Sequence, residues 1–226
     1  MPTAPQFAPP RYLVVEGPIQ VGKSALARIL SDRLHARLIA DRADNPHLAD
    51  FYQEKAGAAF RAQMHFLFSR YRQLRELAPP PPGQVAGSSE AWRVPVVSDY
   101  LFEKDRIFAT LTLSDTELKV YEQYYDLFRP QIGTPDLVIY LQATPGVLRQ
   151  RMKKGPAGVR QLSEDYLEEV VEAYEHFFFR YQAANLLVVN TSEIDFVERH
   201  QDLRELLRRL SEPVKGTQYF LPLGPE

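Results

Sequence analysis

The segment YLVVEGPIQVGKSALARIL, residues 12–30, constrains the fold of this chain more than any other. An apolar run leads into it and helix-forming residues follow it, which is the strand–turn–helix context that the pattern GxxxxGKS/T requires. The matching residues are Gly17, Pro18, Ile19, Gln20, Val21, Gly22, Lys23 and Ser24. The segment therefore predicts a backbone cradle for phosphate groups at the N-terminus of a helix.

The lysine and the hydroxyl residue of such a cradle have separate roles. Lys23 is expected to contact the β- and γ-phosphates of a nucleoside triphosphate such as ATP, and Ser24 to bind the accompanying Mg²⁺. The guanine-reading motif NKxD and the transporter motif LSGGQ do not occur in the sequence. Their absence disfavours a GTPase switch or a transporter ATPase and favours phosphoryl transfer to a small molecule.

Apolar runs and amphipathic segments alternate along the chain, which predicts an α/β fold with a parallel sheet covered by helices on both faces. The five predicted strands are residues 12–16, 36–41, 93–99, 135–141 and 185–190. The predicted helices are residues 22–34, 60–77, 115–128, 163–181 and 195–210. Ser114 and Ser163 are suited to cap two of these helices. We expect a single domain that covers residues 1–226.

Three segments fit neither a helix nor a strand. Residues 78–92 are predicted to form a proline-rich loop, and residues 212–226 a flexible tail. The segment KKGPAGVRQ, residues 153–161, is short, cationic and placed between two helices. It predicts a small lid.

The composition excludes several classes of protein. The 27 basic and 29 acidic residues give a net charge of −2, which argues against a nucleic-acid partner. The absence of cysteine excludes disulfides, thiolate metal sites and cysteine nucleophiles. No apolar run approaches 18 residues and the first residues lack the layout of a signal peptide, so we expect a cytoplasmic protein without a membrane partner.

Five further segments, together with the glycine turn, resemble a known family. These are DNPHLADFY (44–52), QMHFLFSRYRQL (63–74), SDYLFEKDRIFA (98–109), PDLVIYL (135–141) and YLEEVVEAYEHFF (166–178). In this order they resemble the deoxyribonucleoside kinase family, above all its bacterial deoxyguanosine and deoxyadenosine kinase branch. The resemblance implies a P-loop kinase fold and transfer of the γ-phosphate of ATP, with Mg²⁺, to the 5′-hydroxyl of a deoxynucleoside in nucleotide salvage. It favours a purine acceptor and implies a homodimer.

The resemblance assigns three residues to the acceptor. Tyr52 would hydrogen-bond the sugar 3′-hydroxyl, Gln63 would face the nucleobase edge and Arg70 would also reach the base. Seven residues separate Gln63 from Arg70, so the two lie on nearly the same side of a helix. The alternative is a polar stripe on a solvated helix, which the many apolar neighbours in this segment disfavour. The amide of Gln63 can rotate, so it does not by itself separate guanine from adenine or cytosine.

An acidic residue follows the predicted third strand. The resemblance implies that Asp99 helps to hold Mg²⁺ and organises the reacting phosphate, and the carboxyl edge of a parallel sheet is the expected place for such a residue. Many family members have an arginine next, where this chain has Tyr100. The missing cation would be Lys104 or Arg106; the alternative is that both are ordinary cations on a helix surface, and the sequence leaves these alternatives open.

The general base and the lid depart from the family pattern. The family has a glutamate just upstream of the NP pair, and Asp41 lies one residue closer to Asn45 than that glutamate would. Either the loop is one residue shorter and Asp41 is the base, or Ala40 takes the position and the base lies elsewhere; we choose Asp41. In the lid and the two residues before it, Arg151 and Arg160 are the expected phosphate contacts, because guanidinium groups bind bidentately.

Two other functions fit the cradle. A nucleoside monophosphate kinase, such as a thymidylate kinase, would need further cations for the phosphate of its acceptor. A relative that binds nucleotide without turnover, as a sensor or partner, would explain the altered base and lid motifs.

Overall fold

The structure, a computed structural model, describes residues 10–41, 44–77, 94–155 and 162–222. The strands are β1 (Tyr12–Glu16), β2 (Arg37–Ile39), β3 (Val96–Ser98), β4 (Leu137–Gln142), β5 (Asn185–Asn190) and β6 (Thr217–Phe220). They form one sheet in the order β2-β3-β1-β4-β5-β6, and every pair is parallel. All carboxyl ends therefore meet at one edge, with β1 near the middle.

The helices are α1 (Lys23–Leu34), α2 (Leu48–Tyr52), α3 (Ala58–Leu74), α4 (Lys104–Thr112), α5 (Asp115–Phe128), α6 (Pro145–Lys153), α7 (Glu164–Phe179) and α8 (His200–Leu210). The predicted caps are confirmed. Ser114 and Glu117 form a reciprocal capping box at α5, and the Ser163 hydroxyl accepts a hydrogen bond from the Tyr166 N–H at α7. Among the described residues, no helix combines the length and the apolar character needed to cross a bilayer.

The central strand contributes to two hydrophobic cores. Tyr12 and Val14 pack on one face with residues of α3, α4, α5 and α7, whereas Leu13 and Val15 pack on the other with α1, α6 and α8. This alternation follows from the pleat, because successive side chains point to opposite faces. The predicted α/β fold, a parallel sheet with helices on both faces, is confirmed.

Two predictions about the sheet and the tail are corrected. Within the described ranges the sheet has six strands rather than five, and the sixth, Thr217–Phe220, lies within the predicted flexible tail. This strand was missed because it is four residues long, is the edge strand next to β5 among the described strands, and has alternately exposed and half-buried side chains. The predicted proline-rich loop and residues 156–161 of the predicted lid lie outside the described residues.

Candidate active site

A cavity of about 710 Å³ lies at the carboxyl edge of the sheet, a size typical of small-molecule sites. Segments that follow β1, β2, β3 and β5 line it together with α2, α3, α4 and α7. The predicted site residues among its lining are Ile19, Gln20, Val21, Gly22, Lys23, Ser24, Asp41, Tyr52, Gln63, Arg70, Asp99, Lys104 and Arg151. Gly17 and Pro18 are not among the lining residues, and Arg160 is outside the described residues.

The two glycines of the turn are needed for their backbone conformation and for close packing. Gly17 has a φ of +151°, and a Cβ there would lie 2.4 Å from the carbonyl oxygen of Leu141. Gly22 has a φ of +107°, and a Cβ there would lie 2.7 Å from the ring of Phe196. Both positions therefore exclude a side chain. At Gly22 the missing side chain lets the ring of Phe196, and with it the loop after β5, pack against the cradle.

The cradle lysine is held inside the loop. Its Nζ donates to the carbonyl oxygens of Gly17 at 2.6 Å and Pro18 at 2.9 Å. Burial lowers the pKa of Lys23 to about 8, although the nearby carboxylate of Glu16 acts in the opposite direction. The two hydrogen-bond acceptors of the ammonium group are neutral carbonyl oxygens, and an incoming phosphate would offer it charged acceptors instead.

A buried carboxylate that sequence reasoning missed lies next to the cradle. Glu16 is fully buried at the end of β1. Its Oε1 accepts from the Gly17 N–H at 2.8 Å and from the Tyr174 hydroxyl at 3.2 Å, and its Oε2 accepts from the Leu101 N–H at 2.7 Å. Three donors from three segments thus converge on one side chain. Its position as the last residue of a buried strand, at the edge where ligands bind, is the signal that could have identified it.

Asp41, the candidate general base, lies between two cations. Arg70 binds the Asp41 carboxylate with Nε at 3.0 Å from Oδ1 and Nη2 at 2.8 Å from Oδ2, and Lys104 Nζ lies 2.6 Å from Oδ2. Burial opposes ionisation of Asp41, but Lys104 and Arg70 hold its pKa well below the usual range. The side chain is therefore a carboxylate near neutral pH, able to accept a proton.

A second carboxylate, which sequence reasoning also missed, faces the other side of Arg70. Asp105 is fully buried in the first turn of α4, and its Oδ1 accepts from Arg70 Nη1. Burial raises the pKa of Asp105 to about 6, against the lowering effect of Arg70. Arg70 was expected to reach a nucleobase directly, but in this structure its Nε, Nη1 and Nη2 all bind the two carboxylates.

The structure separates the two cations that the sequence left open. Lys104 is 5% exposed and lines the cavity, whereas Arg106 lies at the surface and pairs with Glu122 at 3.2 Å. The ring of Tyr100 lies 5.6 Å from both Lys104 Nζ and Arg70 Cζ. Lys104 is therefore the one of the two that can contact a ligand in the cavity, and Tyr100 packs against both Lys104 and Arg70.

Asp99 and Ser24 provide the kind of oxygens that Mg²⁺ prefers. Asp99 is buried after β3, and its Oδ1 accepts from the backbone N–H of Asp41 at 2.5 Å. Ser24, in the first turn of α1, lines the same cavity. Protein sites for Mg²⁺ often supply only one or two oxygens, with substrate phosphates and water completing the shell. The residues present fit that description.

The acceptor half of the cavity has apolar walls and one buried amide. Phe66 and Phe108 line it, and Tyr52 contributes a phenol that is 46% exposed. Gln63 is buried, and its Nε2 donates to the Thr112 hydroxyl oxygen at 3.1 Å. Aromatic walls with few polar groups are typical of sites for a planar ring such as a nucleobase.

Arg151 has protein partners in this structure. Its guanidinium donates to the carbonyl oxygens of Thr191 at 2.8 Å and Ile194 at 3.1 Å, with a longer contact to that of Val21 at 3.4 Å. It thereby ties the loop after β5 to the cradle. Its predicted contact with the phosphoryl group stays a prediction.

Comparisons with known proteins agree on one family. The family model described as deoxynucleoside kinase matches residues 13–215. The deoxyguanosine kinase of Bacillus subtilis is 31% identical over 89% of this chain and 96% of its own length. The deoxyadenosine kinase of Lactobacillus acidophilus is 26% identical over 91% and 97%. A structure of deoxyadenosine kinase from M. mycoides, with dCMP and dCDP bound, superposes with a TM-score of 0.71 at 22% identity, over 88% and 98% of the two chains.

The convergence of donors on Glu16 predicts the effect of replacing it. In Glu16→Gln one carboxylate oxygen becomes an NH₂ group, which must face an N–H or O–H that needs an acceptor. We expect a loss of about 1–3 kcal/mol in the free energy of unfolding, measured by urea denaturation. Glu76→Gln is the control, because its pair with Arg37 at 3.3 Å is exposed, and it should change stability by less than about 0.5 kcal/mol. Equal effects of the two substitutions would contradict this role for Glu16.

Proposed function

We propose a specific reaction for this chain, which belongs to the deoxynucleoside kinase family. It transfers the γ-phosphate of ATP to the 5′-hydroxyl of a deoxynucleoside, preferably the purine deoxyguanosine or deoxyadenosine, as a step of nucleotide salvage in the cytoplasm. One observation carries the proposal. The phosphate cradle around Lys23 and the buried amide of Gln63 line a single cavity, and Asp41, which lies between them in the sequence, lines it too.

The donor half would bind the triphosphate through the backbone of the cradle. The N-terminus of α1 adds the positive end of its dipole, and Lys23 exchanges its two carbonyl partners for phosphate oxygens. Ser24 and Asp99 would hold Mg²⁺, which supplies charge neutralisation for the phosphates.

The acceptor half would bind the nucleoside by its base and sugar. Phe66 and Phe108 provide apolar walls for the base, Gln63 a polar contact to its edge, and Tyr52 a hydroxyl for the sugar. The purine preference is supported by the names of the relatives, which include deoxyguanosine and deoxyadenosine kinases.

The chemistry needs one proton acceptor and nearby cations. The 5′-oxygen forms a bond to the γ-phosphorus while the bond from that phosphorus to the β–γ bridging oxygen breaks, and the hydroxyl proton passes to the Asp41 carboxylate. A loose transition state demands little basicity from the acceptor, so the low pKa of Asp41 is compatible with this role. Lys104, held against Asp41, would stabilise the charge on the transferring group.

The pairing of the cations disfavours a nucleotide as the acceptor. A nucleoside monophosphate kinase needs cations for the phosphate that its acceptor already bears. In the described part of the acceptor half, Arg70 is bound to Asp41 and Asp105, and Lys104 to Asp41. These pairs leave the described cavity better suited to a neutral nucleoside.

A panel of four deoxynucleosides with Mg²⁺–ATP, followed by product detection, tests the reaction. We expect 5′-monophosphates to form, fastest with the purines.

Asp41→Asn should lower kcat by about 10²–10⁴-fold, because the general base is lost. Lys23→Ala should weaken use of ATP. Binding without turnover of any deoxynucleoside would favour a non-catalytic relative instead, and turnover of monophosphates alone would favour the nucleotide kinase.

The two cations of α4 give a matched pair of substitutions. Lys104→Gln should lower kcat by about 10²-fold or more, since it removes a cation at the reacting group. Arg106→Gln removes a cation two residues away that pairs with Glu122 at the surface, and should leave kcat within about twofold. Equal loss in both variants, or none in Lys104→Gln, would contradict a role for Lys104 in catalysis.

We also propose that the enzyme is a homodimer joined through α3 and α5. Val120, Tyr124 and Leu127 form an exposed apolar row on α5, and the ring of Phe68 on α3 lies 5.8 Å from that of Tyr124. Residues spaced three and four apart share one helix face, so this row could pack against its copy across a two-fold axis.

Light scattering tests this assembly. The wild type should have the mass of a dimer, and Leu127→Glu should shift it toward a monomer, because it buries a charge in the interface. Phe179→Glu is the control: Phe179 is 85% exposed on α7, away from this row. A monomeric wild type at working concentration would refute the proposal.

A further inference from the structure

We infer that Thr112 fixes the orientation of the Gln63 amide, and with it the order of donor and acceptor that the site offers to a nucleobase. This inference rests on the proposed function, in which Gln63 contacts the base of a nucleoside. It goes beyond that function because it makes Thr112 a residue that determines specificity without touching the substrate.

The argument starts from the single proton of the Thr112 hydroxyl. The hydroxyl donates this proton to the carbonyl oxygen of Phe108, one turn earlier in α4, at 2.7 Å. Gln63 Nε2 lies 3.1 Å from the same hydroxyl oxygen. Since its proton is used, the oxygen can only accept from Gln63. Gln63 must therefore turn its NH₂ group, and not its carbonyl oxygen, toward Thr112.

This orientation leaves the other end of the amide in need of a partner. Gln63 Oε1 is buried and has no hydrogen-bond donor among the described residues. A buried carbonyl without a donor is costly, so a ligand that supplies an N–H is favoured. Because the side chain lines the acceptor cavity, that ligand is the nucleobase. Nε2 keeps a second N–H, so Gln63 offers one acceptor and one donor.

A flipped amide is possible only if the hydroxyl changes partner. Gln63 Oε1 would then face Thr112, which would have to donate to it and give up the bond to Phe108. A neutral hydrogen bond changes an equilibrium by about two- to tenfold. We therefore expect the preference for one orientation to be of that size.

The two orders of donor and acceptor correspond to two classes of purine. Adenine has an acceptor at N1 next to the 6-amino donor, whereas hypoxanthine and guanine have a donor at N1 next to the O6 acceptor. For a purine bound in one position, a Gln63 amide of fixed orientation pairs with one class of purine. The other class can pair only after the amide has flipped. Deoxyadenosine and deoxyinosine differ at this edge alone, so their comparison isolates the effect of Gln63.

The test is the ratio of the dissociation constants of deoxyadenosine and deoxyinosine, measured by calorimetry. We expect a wild-type ratio about two- to tenfold away from one, the size of one neutral hydrogen bond. Thr112→Ser keeps the hydroxyl and should keep the ratio. Thr112→Val removes the hydroxyl at similar size, frees the amide to flip, and should move the ratio toward one by about two- to tenfold.

Thr110→Val is the matched control. Thr110 is exposed on the same helix, and its hydroxyl donates to the carbonyl oxygen of Arg106 at 2.8 Å, the same bond one turn back. Its substitution should leave the ratio unchanged. If thermal melting shows that Thr112→Val does not fold, Thr112→Ala makes the same test, because alanine favours helix.

The outcomes separate this inference from the proposed function. A wild-type ratio near one, a ratio that Thr112→Val leaves unchanged, or no binding of either purine nucleoside overturns the role of Thr112. Binding with the expected change in ratio, but without phosphorylation, supports the role of Thr112 and overturns the proposed reaction.

Discussion

The buried carboxylate of Glu16 is the interaction on which the rest of the site depends. It lies at the end of the central strand and accepts hydrogen bonds from the Gly17 N–H, the Leu101 N–H and the Tyr174 hydroxyl. Burying a charge without partners costs several kcal/mol, and convergent donors offset that cost. The same bonds fix the phosphate cradle, the segment after β3 and α7 relative to one another. Glu16 thereby joins three segments that lie next to the cavity.

Charge balance explains how the reacting end stays buried. Asp41 and Asp105 both pair with Arg70, and Asp41 also pairs with Lys104, so two acids and two cations neutralise one another. The backbone N–H of Asp41 donates to Asp99, which holds the loop after β2 close to the end of β3. This contact brings the short side chain of Asp41 within reach of both cations. A longer acidic side chain would reach them without the contact.

The sequence predicted features that depend on local spacing and missed those that depend on which elements meet. The cradle follows from one contiguous motif, whereas Gln63 and Arg70 were assigned by the family resemblance, with helical spacing placing them on one side of a helix. Glu16 and Asp105 were missed because Leu101 and Tyr174, which bind Glu16, and Arg70, which binds Asp105, come from distant segments. The sequence could not choose between Lys104 and Arg106 for the same reason: two residues apart on α4, they face opposite environments that only the packing of α3 and α5 defines. The prediction of Arg151 rested on its charge, and its carbonyl partners lie 40 or more residues away along the chain.

Helix α4 connects recognition of the acceptor to the chemistry. Lys104, Phe108 and Thr112 recur every four residues, so they share one face over about 12 Å of helix. Lys104 binds Asp41, the candidate general base, Phe108 lines the acceptor half of the cavity, and Thr112, by our inference, orients the amide of Gln63. In the proposed function, an acceptor that presses on Phe108 would also shift Lys104 relative to Asp41, because both side chains lie on one rigid helix. A poorly fitting acceptor would then be penalised in the transition state as well as in binding, which gives a site with few polar contacts a way to discriminate among nucleobases.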